Sequence, residues 1–314
     1  MSLVSIIMNC HNGEKHLRNA IDSVYSQSIK DWEIIFYNNL STDKSKKISL
    51  SYDRKIKYFE SKKFINLGEA RKKAIDNASG KWIAFLDVDD YWYSNKLELQ
   101  LNHLENSNYM LCYSAIDYIT ESGKYLKTKY PTNGSGDILS NLLVNFDINL
   151  VTAIFRNDLA QKYKLEFNKN MQVSEEYNFF MKLAYYGKIL SINESLGAYR
   201  VSDNSLTNKK KFRWAFERDT TLKELNNIDK YYKKINLSAF EVALARSRYY
   251  RACYYMDRGS KIRARISLKK IKKIDLRYKI LFYISLSTLI WNFLHDRKIK
   301  ILVTELYNRL NFQK

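Results

Sequence analysis

The chain has 314 residues, 46% of them hydrophobic and 14% aromatic, which suffices for one large domain or a domain with an extension. A single proline and nine glycines exclude collagen-like, proline-rich and many-turned all-β designs, and three scattered cysteines and four histidines offer no zinc-ligand spacing. The net charge of +20 is unevenly placed: residues 1–208 carry 26 Lys and Arg against 24 Asp and Glu, whereas residues 209–314 carry 27 against 9. A near-neutral part is followed by a basic one.

In chain order, residues 4–8 form an apolar run of strand length, and Asn12-Gly13-Glu14 opens a helical pattern through Leu17, Ala20, Ile21 and Val24. Polar residues arrive by position 11, so a cleaved secretory signal is not expected. Residues 32–37 read as a second strand, and Ser41-Thr42-Asp43 supplies cap chemistry for a short helix to about residue 50. A weaker strand at 55–59, a helix at 67–78 closed by Ser79-Gly80, and a strand at 82–86 follow. This alternation predicts a mostly parallel α/β sheet of the Rossmann-like kind, which binds ligands beyond the carboxyl ends of its strands. Further on, the pattern gives a helix at 95–104, strands at 110–119 and 150–155, a helix at 175–186 and a closing strand at 196–201. The rest reads as helical, with a break at Gly259-Ser260 inside a stretch that resembles one tetratricopeptide-type helix pair.

The fourth strand delivers Asp87-Val88-Asp89-Asp90 at its carboxyl end. Three carboxylates so close repel one another unless a cation or buried hydrogen bonds offset the repulsion. Hard oxygen ligands suit Mg²⁺ or Mn²⁺, which commonly bridge protein carboxylates and a diphosphate. The turns at 9–13 and 38–43 should open onto the same sheet edge.

The run Val4-Ser5-Ile6-Ile7-Met8-Asn9-Cys10-His11-Asn12-Gly13-Glu14 resembles the opening of the family 2 glycosyltransferases, which have the GT-A fold. Residues 32–43, Asn66-Leu67-Gly68-Glu69-Ala70-Arg71 and residues 80–92 with their DxD-type motif agree in order and spacing. Ser174-Glu175-Glu176-Tyr177 resembles the later acidic motif, and Tyr199-Arg200 the closing segment. The resemblance covers residues 1–207, leaving 208–314 as a basic helical extension. It implies inverting transfer of a sugar from a nucleotide-diphosphate donor, a UDP-sugar above all, to a hydroxyl of a glycan or lipid-linked acceptor. By motif match Asp87 and Asp89 would serve the metal (Mn²⁺ or Mg²⁺), diphosphate and ribose, supported by Asp90. Arg71 and the turn Asn9, Cys10, His11 would face the nucleotide.

Two positions depart from the family pattern: Asn39 stands where many members have an Asp, and Ser202 where relatives often carry a His. Glu176 takes the place of the usual Asp and would act as general base, with Glu175 orienting loops or acceptor, since adjacent helical residues diverge by about a hundred degrees. Trp82 belongs in the core, and Trp92, directly after the acidic motif, is a candidate for stacking on a sugar. The alternatives are a nucleotidyltransferase, for which no Gly-rich triphosphate loop follows the first strand, and a catalytically dead sugar- or lipid-binding scaffold.

No nucleic-acid module is readable in the basic part. Lys269, Lys270, Lys272 and Lys273 precede an apolar stretch at 281–294 that is too short to cross a bilayer, and Arg297, Lys298 and Lys300 follow it. Cations around an apolar helix bearing Tyr283 and Trp291 suit one lying among anionic headgroups. The expected location is cytoplasmic, peripheral on the inner face of the membrane, and the cysteines fit that reducing compartment.

Overall fold

A computed structural model describes residues 3–201 and 211–295. The first half alternates strand and helix: β1 (Val4–Cys10), α1 (Glu14–Tyr25), β2 (Trp32–Asn38), α2 (Ser45–Ser49), β3 (Ile56–Glu60), α3 (Leu67–Ile75) and β4 (Trp82–Phe85). These strands pair in parallel in the order β3-β2-β1-β4. Central parallel strands are covered on both faces, so β1, β2 and β4 read as near-continuous apolar runs. Alternation still sorts their side chains: Ile7, Ile35, Ile83 and Phe85 enter one core, while Ile6, Met8, Phe36 and Trp82 enter the other.

The second half extends the sheet with antiparallel partners. It comprises β5 (Tyr91–Trp92), α4 (Lys96–Leu104), β6 (Tyr109–Ile119), β7 (Tyr125–Lys129), α5 (Leu139–Val144), β8 (Ile154–Arg156), α6 (Asn157–Lys162), α7 (Glu175–Tyr186) and β9 (Lys188–Arg200). β8 runs antiparallel to both β4 and β6, β9 is parallel to β6, β5 closes the edge on β9, and β7 hangs on β6 as a hairpin. The strand expected at 150–155 is split. The Asn149 side chain accepts from Val151 N and starts a 3₁₀ turn over Leu150–Thr152, so only the last residues pair as β8. The helix expected to reach 78 stops at Ile75, and Gly80 has a different task from capping it: a Cβ there would lie 2.5 Å from Ser5 N. The closing strand begins at Lys188, because β6 offers it a partner along most of its length.

The helical part comprises α8 (Lys211–Ile228), α9 (Lys230–Ile235), α10 (Leu237–Asp257), α11 (Lys261–Lys269), α12 (Leu276–Ile284) and α13 (Thr288–His295). Its first helices are not a separate appendage. Leu222 and Leu225 of α8 and Ala239, Phe240 and Ala243 of α10 sit in the same buried cluster as Phe85, Phe155, Phe179 and Phe180. A boundary at residue 207 therefore does not separate two independent cores. A second, smaller core gathers Ala252, Met256, Ala264, Leu268 and Trp291.

The apolar stretch at 281–294 is not one interfacial helix. Ser285 Oγ donates back to the Phe282 carbonyl and ends α12, and Ser287 Oγ accepts from Ile290 N to open α13. Trp291 turns into the small core, while Leu289 and Phe293 are exposed. Arg297, Lys298 and Lys300 lie outside the described residues.

Candidate active site

The carboxyl ends of β1, β2 and β4 meet as expected, and backbone geometry locks two of their turns together. Asn39 N donates to Cys10 O at 2.7 Å, and His11 Nδ1 donates to Asn39 O at 2.9 Å. Asn12 N and Gly13 N donate to the hydroxyls of Ser41 and Ser45, and Glu14 N donates to Asp43 Oδ2 at 2.9 Å. The cap residues expected to serve α2 thus close the start of α1 across the cleft, satisfying N–H groups that a helix N-terminus leaves bare. Gly13 is required here, since a Cβ would fall 2.6 Å from the Val88 side chain. The first turn is thereby pressed directly against the acidic motif.

Within that motif the three carboxylates have separate roles. Asp90 is buried and accepts the Arg200 backbone N–H at 2.7 Å; burial, then Asp89 and Asp87, raise its pKa well above the carboxylate range. The Arg200 side chain fastens the rest, donating from Nε to Asp89 O and from Nη1 to the carbonyls of Thr120 and Glu121. Asp87 and Asp89 remain open to solvent. Crowding by surrounding protein, and then the charge on Asp87, push the Asp89 carboxyl up to about 6, even though part of its surface is wet.

Arg71, on α3, joins this motif to the second acidic pair. Its buried guanidinium lies 3.3 Å from Asp87 Oδ1 and is ion-paired with Glu175 at the start of α7. Burial works against that charge, but Glu175 and then Asp87 keep it protonated. Glu175 Oε2 is buried with no hydrogen-bond partner among the described residues. Glu176, half-buried on the adjacent helical position, has its pKa pushed up to about 7 by burial, with Glu175 and Asp87 raising it further and Arg71 and Arg218 opposing. The Tyr199 hydroxyl is held up as well, by burial and then by the charges of Asp90, Asp87, Glu176 and Asp89.

The start of α7 is fixed from the helical part. Glu217 of α8 accepts the backbone N–H groups of Gln172, Val173 and Ser174 at 2.9–3.0 Å. Arg218 lies 4.1 Å from the Tyr177 ring centre, and Glu224 accepts from Asn178 Nδ2 at 2.8 Å.

Asp87, Arg71, Glu175 and Glu176 are brought together, and Asp89 adjoins them. Others take supporting places. Asn39 spends its amide on one residue, donating from Nδ2 to Ile65 O and accepting from Ile65 N at Oδ1. Cys10 is buried, and that burial raises its thiol pKa. Asn9 Nδ2 is buried without a hydrogen-bond partner among the described residues. His11 is exposed and meets the Phe64 ring edge-on at 4.7 Å.

Trp92 is not available to a sugar. It is 2% exposed, its Nε1 donates to Val151 O at 2.8 Å, and the Lys96 ammonium sits 4.2 Å from its ring centre. A two-residue strand, β5, turns the ring inward at the very point where the acidic loop rejoins the sheet. Trp82 is buried in the core as expected. Ser202 lies outside the described residues. Tyr118, whose ring is 5.3 Å from that of Tyr199, and Glu217 carry no motif that sequence alone could have flagged.

The model of the Glycosyl transferase family 2 matches residues 5–164, half of the chain. The chain belongs to the family 2 glycosyltransferases. An uncharacterized glycosyltransferase of Rickettsia felis is 31% identical over 206 residues, 65% of this chain and 34% of that protein. The chain thus spans about a third of the length of that relative. Escherichia coli WfgD, named a UDP-Glc:α-D-GlcNAc-diphosphoundecaprenol β-1,3-glucosyltransferase, is 29% identical over 214 residues, 66% of this chain and 81% of WfgD. The structure of S. aureus TarS 1–349 in complex with UDP-GlcNAc superposes with a TM-score of 0.67 at 16% identity, covering 93% of this chain and 89% of that one. The fold is GT-A, with a helical C-terminal region.

Proposed function

We propose that this family member is an inverting glycosyltransferase that moves a sugar from a UDP-sugar to a hydroxyl of a glycan or lipid-linked acceptor. The observation that carries the reading is the gathering of Asp87, Glu175 and Glu176 around the buried Arg71, beside an open Asp89. Glu176 is the general base: a carboxyl titrating near 7 can take the acceptor proton from the attacking hydroxyl at neutral pH. Arg71 and Glu175 hold Asp87 and α7 in register, and Glu217 fixes the loop that leads into α7. The donor named in the TarS structure and the lipid-diphosphate acceptor in the name of WfgD agree with this choice of substrates.

Asp87 and Asp89 fit a divalent ion. They are two hard-oxygen groups open to solvent, and after burial the charge on Asp87 helps to hold the Asp89 carboxyl up. Among the described residues no group of three His, Cys, Asp or Glu side chains is placed to hold a metal, so diphosphate oxygens and water would complete the shell. Mn²⁺ or Mg²⁺, when bound, supplies positive charge to the departing diphosphate.

Among the described residues no helix is long and apolar enough to cross a membrane. The basic helical part, with exposed Leu276, Ile280, Leu289 and Phe293, suits peripheral attachment to an anionic membrane on its cytoplasmic face, where lipid-linked acceptors would be met. The deciding experiment is a panel of nucleotide sugars with Mn²⁺ or Mg²⁺ and a lipid-linked acceptor, read as released nucleoside diphosphate. Release of UDP from one donor supports the assignment; a chain that binds but never turns over any donor is a scaffold instead.

A further inference from the structure

α10 and α11 pack together on the smaller core and leave a groove of about 270 Å³ between them. Arg248, Arg251 and Tyr255, at positions i, i+3 and i+7 of α10, line one side, and Arg263 and Ile266 of α11 with Lys270 just past its end line the other. Arg251 is ion-paired with Asp219 of α8. Among the described residues Arg248, Arg263 and Lys270 have no acidic partner, and no acid lines the groove. The Arg263 guanidinium lies 5.9 Å from the Tyr255 ring centre, and among the described residues the buried Arg251 Nε has no hydrogen-bond partner. Beside the already paired Arg251, three cations without an acidic partner converge on one cavity and repel one another until an anion enters, and guanidinium forks match phosphate oxygens in geometry.

The walls say which phosphate. Ile266, in the groove itself, is 55% exposed, and Ile262, one turn earlier, is 76% exposed. The next cavity along the chain, about 460 Å³, again sets lysines (Lys272, Lys273 and Lys279) beside apolar Leu276 and Tyr283, although Asp275, paired with Arg277, also lines it. Free phosphate would leave these apolar groups in water, whereas a lipid headgroup brings them to the acyl boundary. We propose that the groove between α10 and α11 binds the phosphate of an anionic phospholipid headgroup, with Arg248 and Arg263 as the forks that grip it. This rests on the membrane-facing reading above and adds a defined site to it.

The test uses the full chain, sedimented with phosphatidylglycerol or phosphatidylcholine vesicles at fixed moderate salt. R248Q/R263Q is compared with K230Q/K234Q, which removes the same charge from exposed positions on α9. The groove variant should lose at least tenfold in affinity for phosphatidylglycerol vesicles, and the control less than threefold. Matching melting temperatures establish that both fold; should the double variant not fold, R263Q alone, at an exposed position, should lose at least threefold. Equal losses in the two doubles overturn the groove and leave general membrane attachment standing. Failure of the unaltered chain to bind phosphatidylglycerol vesicles at all overturns both. Release of bound protein by low-millimolar inorganic phosphate reassigns the groove to free phosphate and overturns the lipid assignment.

Discussion

Glu176 and Glu175 are neighbours with opposite circumstances. Glu175 is buried and consumed by Arg71, whereas Glu176 is half-buried and titrates near 7. A base must lose its proton to act, so kcat/KM should rise with pH through about 7 and level off above it. Burial sets this limb above all, with Arg71 and Arg218 opposing it and Glu175 and Asp87 adding to it. In Glu176→Gln the limb should vanish and turnover should fall by roughly 10²–10⁴-fold, with donor affinity near normal. Steady-state rates between pH 5.5 and 9 check both; a larger turnover loss in a folded Glu175→Gln protein would move the base one residue earlier. Asp89 belongs to the donor side of the proposed scheme. Asp89→Ala should abolish Mn²⁺-dependent binding of UDP, because one of two open carboxylates is gone. Calorimetry with UDP, with and without Mn²⁺, measures it, and unchanged affinity would remove the metal from the scheme.

At the scale of elements, helix α7, which carries the proposed base, is placed by a helix that follows it in the chain. Its leading loop has three successive N–H groups, and all three end on the Glu217 carboxylate of α8. Bonds to a charged acceptor are each worth about 1.5–3 kcal/mol when buried, so this clamp outweighs any single cap. Glu217→Gln keeps the shape but offers a single carbonyl oxygen in place of two acceptors. Turnover should drop about tenfold while donor KM stays within about twofold, accompanied by a loss of about 1–3 kcal/mol in stability. Measuring kcat, KM and the melting temperature on one preparation separates the two effects. A destabilised variant with unaltered kcat would show that the loop finds its place without the clamp. The β5 segment teaches a similar lesson: Trp92 follows the acidic motif directly, yet two residues of pairing with β9 suffice to turn its ring into the core.

For the whole molecule, the division of charge does not coincide with the division of packing. Residues 1–207 look self-sufficient in composition and motifs, but Leu222, Leu225, Ala239, Phe240 and Ala243 complete their core. Burying a large apolar side chain contributes about 1.5–3 kcal/mol, and a domain's net stability is about 5–15 kcal/mol. Truncation after residue 207 should therefore fail to give a cooperatively folded protein. Expression of that fragment, followed by thermal melting monitored by circular dichroism, checks it; a sharp transition would restore an independent catalytic domain.

The sequence by itself determined the parallel first half of the sheet, because buried strands must be apolar on both faces and their periodicity and connecting helices are local properties. It also determined where Asp87, Asp89 and Glu176 fall along the chain, since each sits at the end of an element with a readable pattern. Only the tertiary structure decided which of these groups are spent and which are free. The commitment of Asn39 to Ile65, of Arg71 to Glu175 and Asp87, and of Asp90 to Arg200 depends on contacts across 16 to 110 positions of chain. The breaking of the 281–294 stretch at Ser285 and the capture of α7 by Glu217 were likewise undecided by periodicity. A hydroxyl's choice of acceptor and a carboxylate's choice of donors are settled by what packing brings within about 3 Å, and no local spacing encodes that.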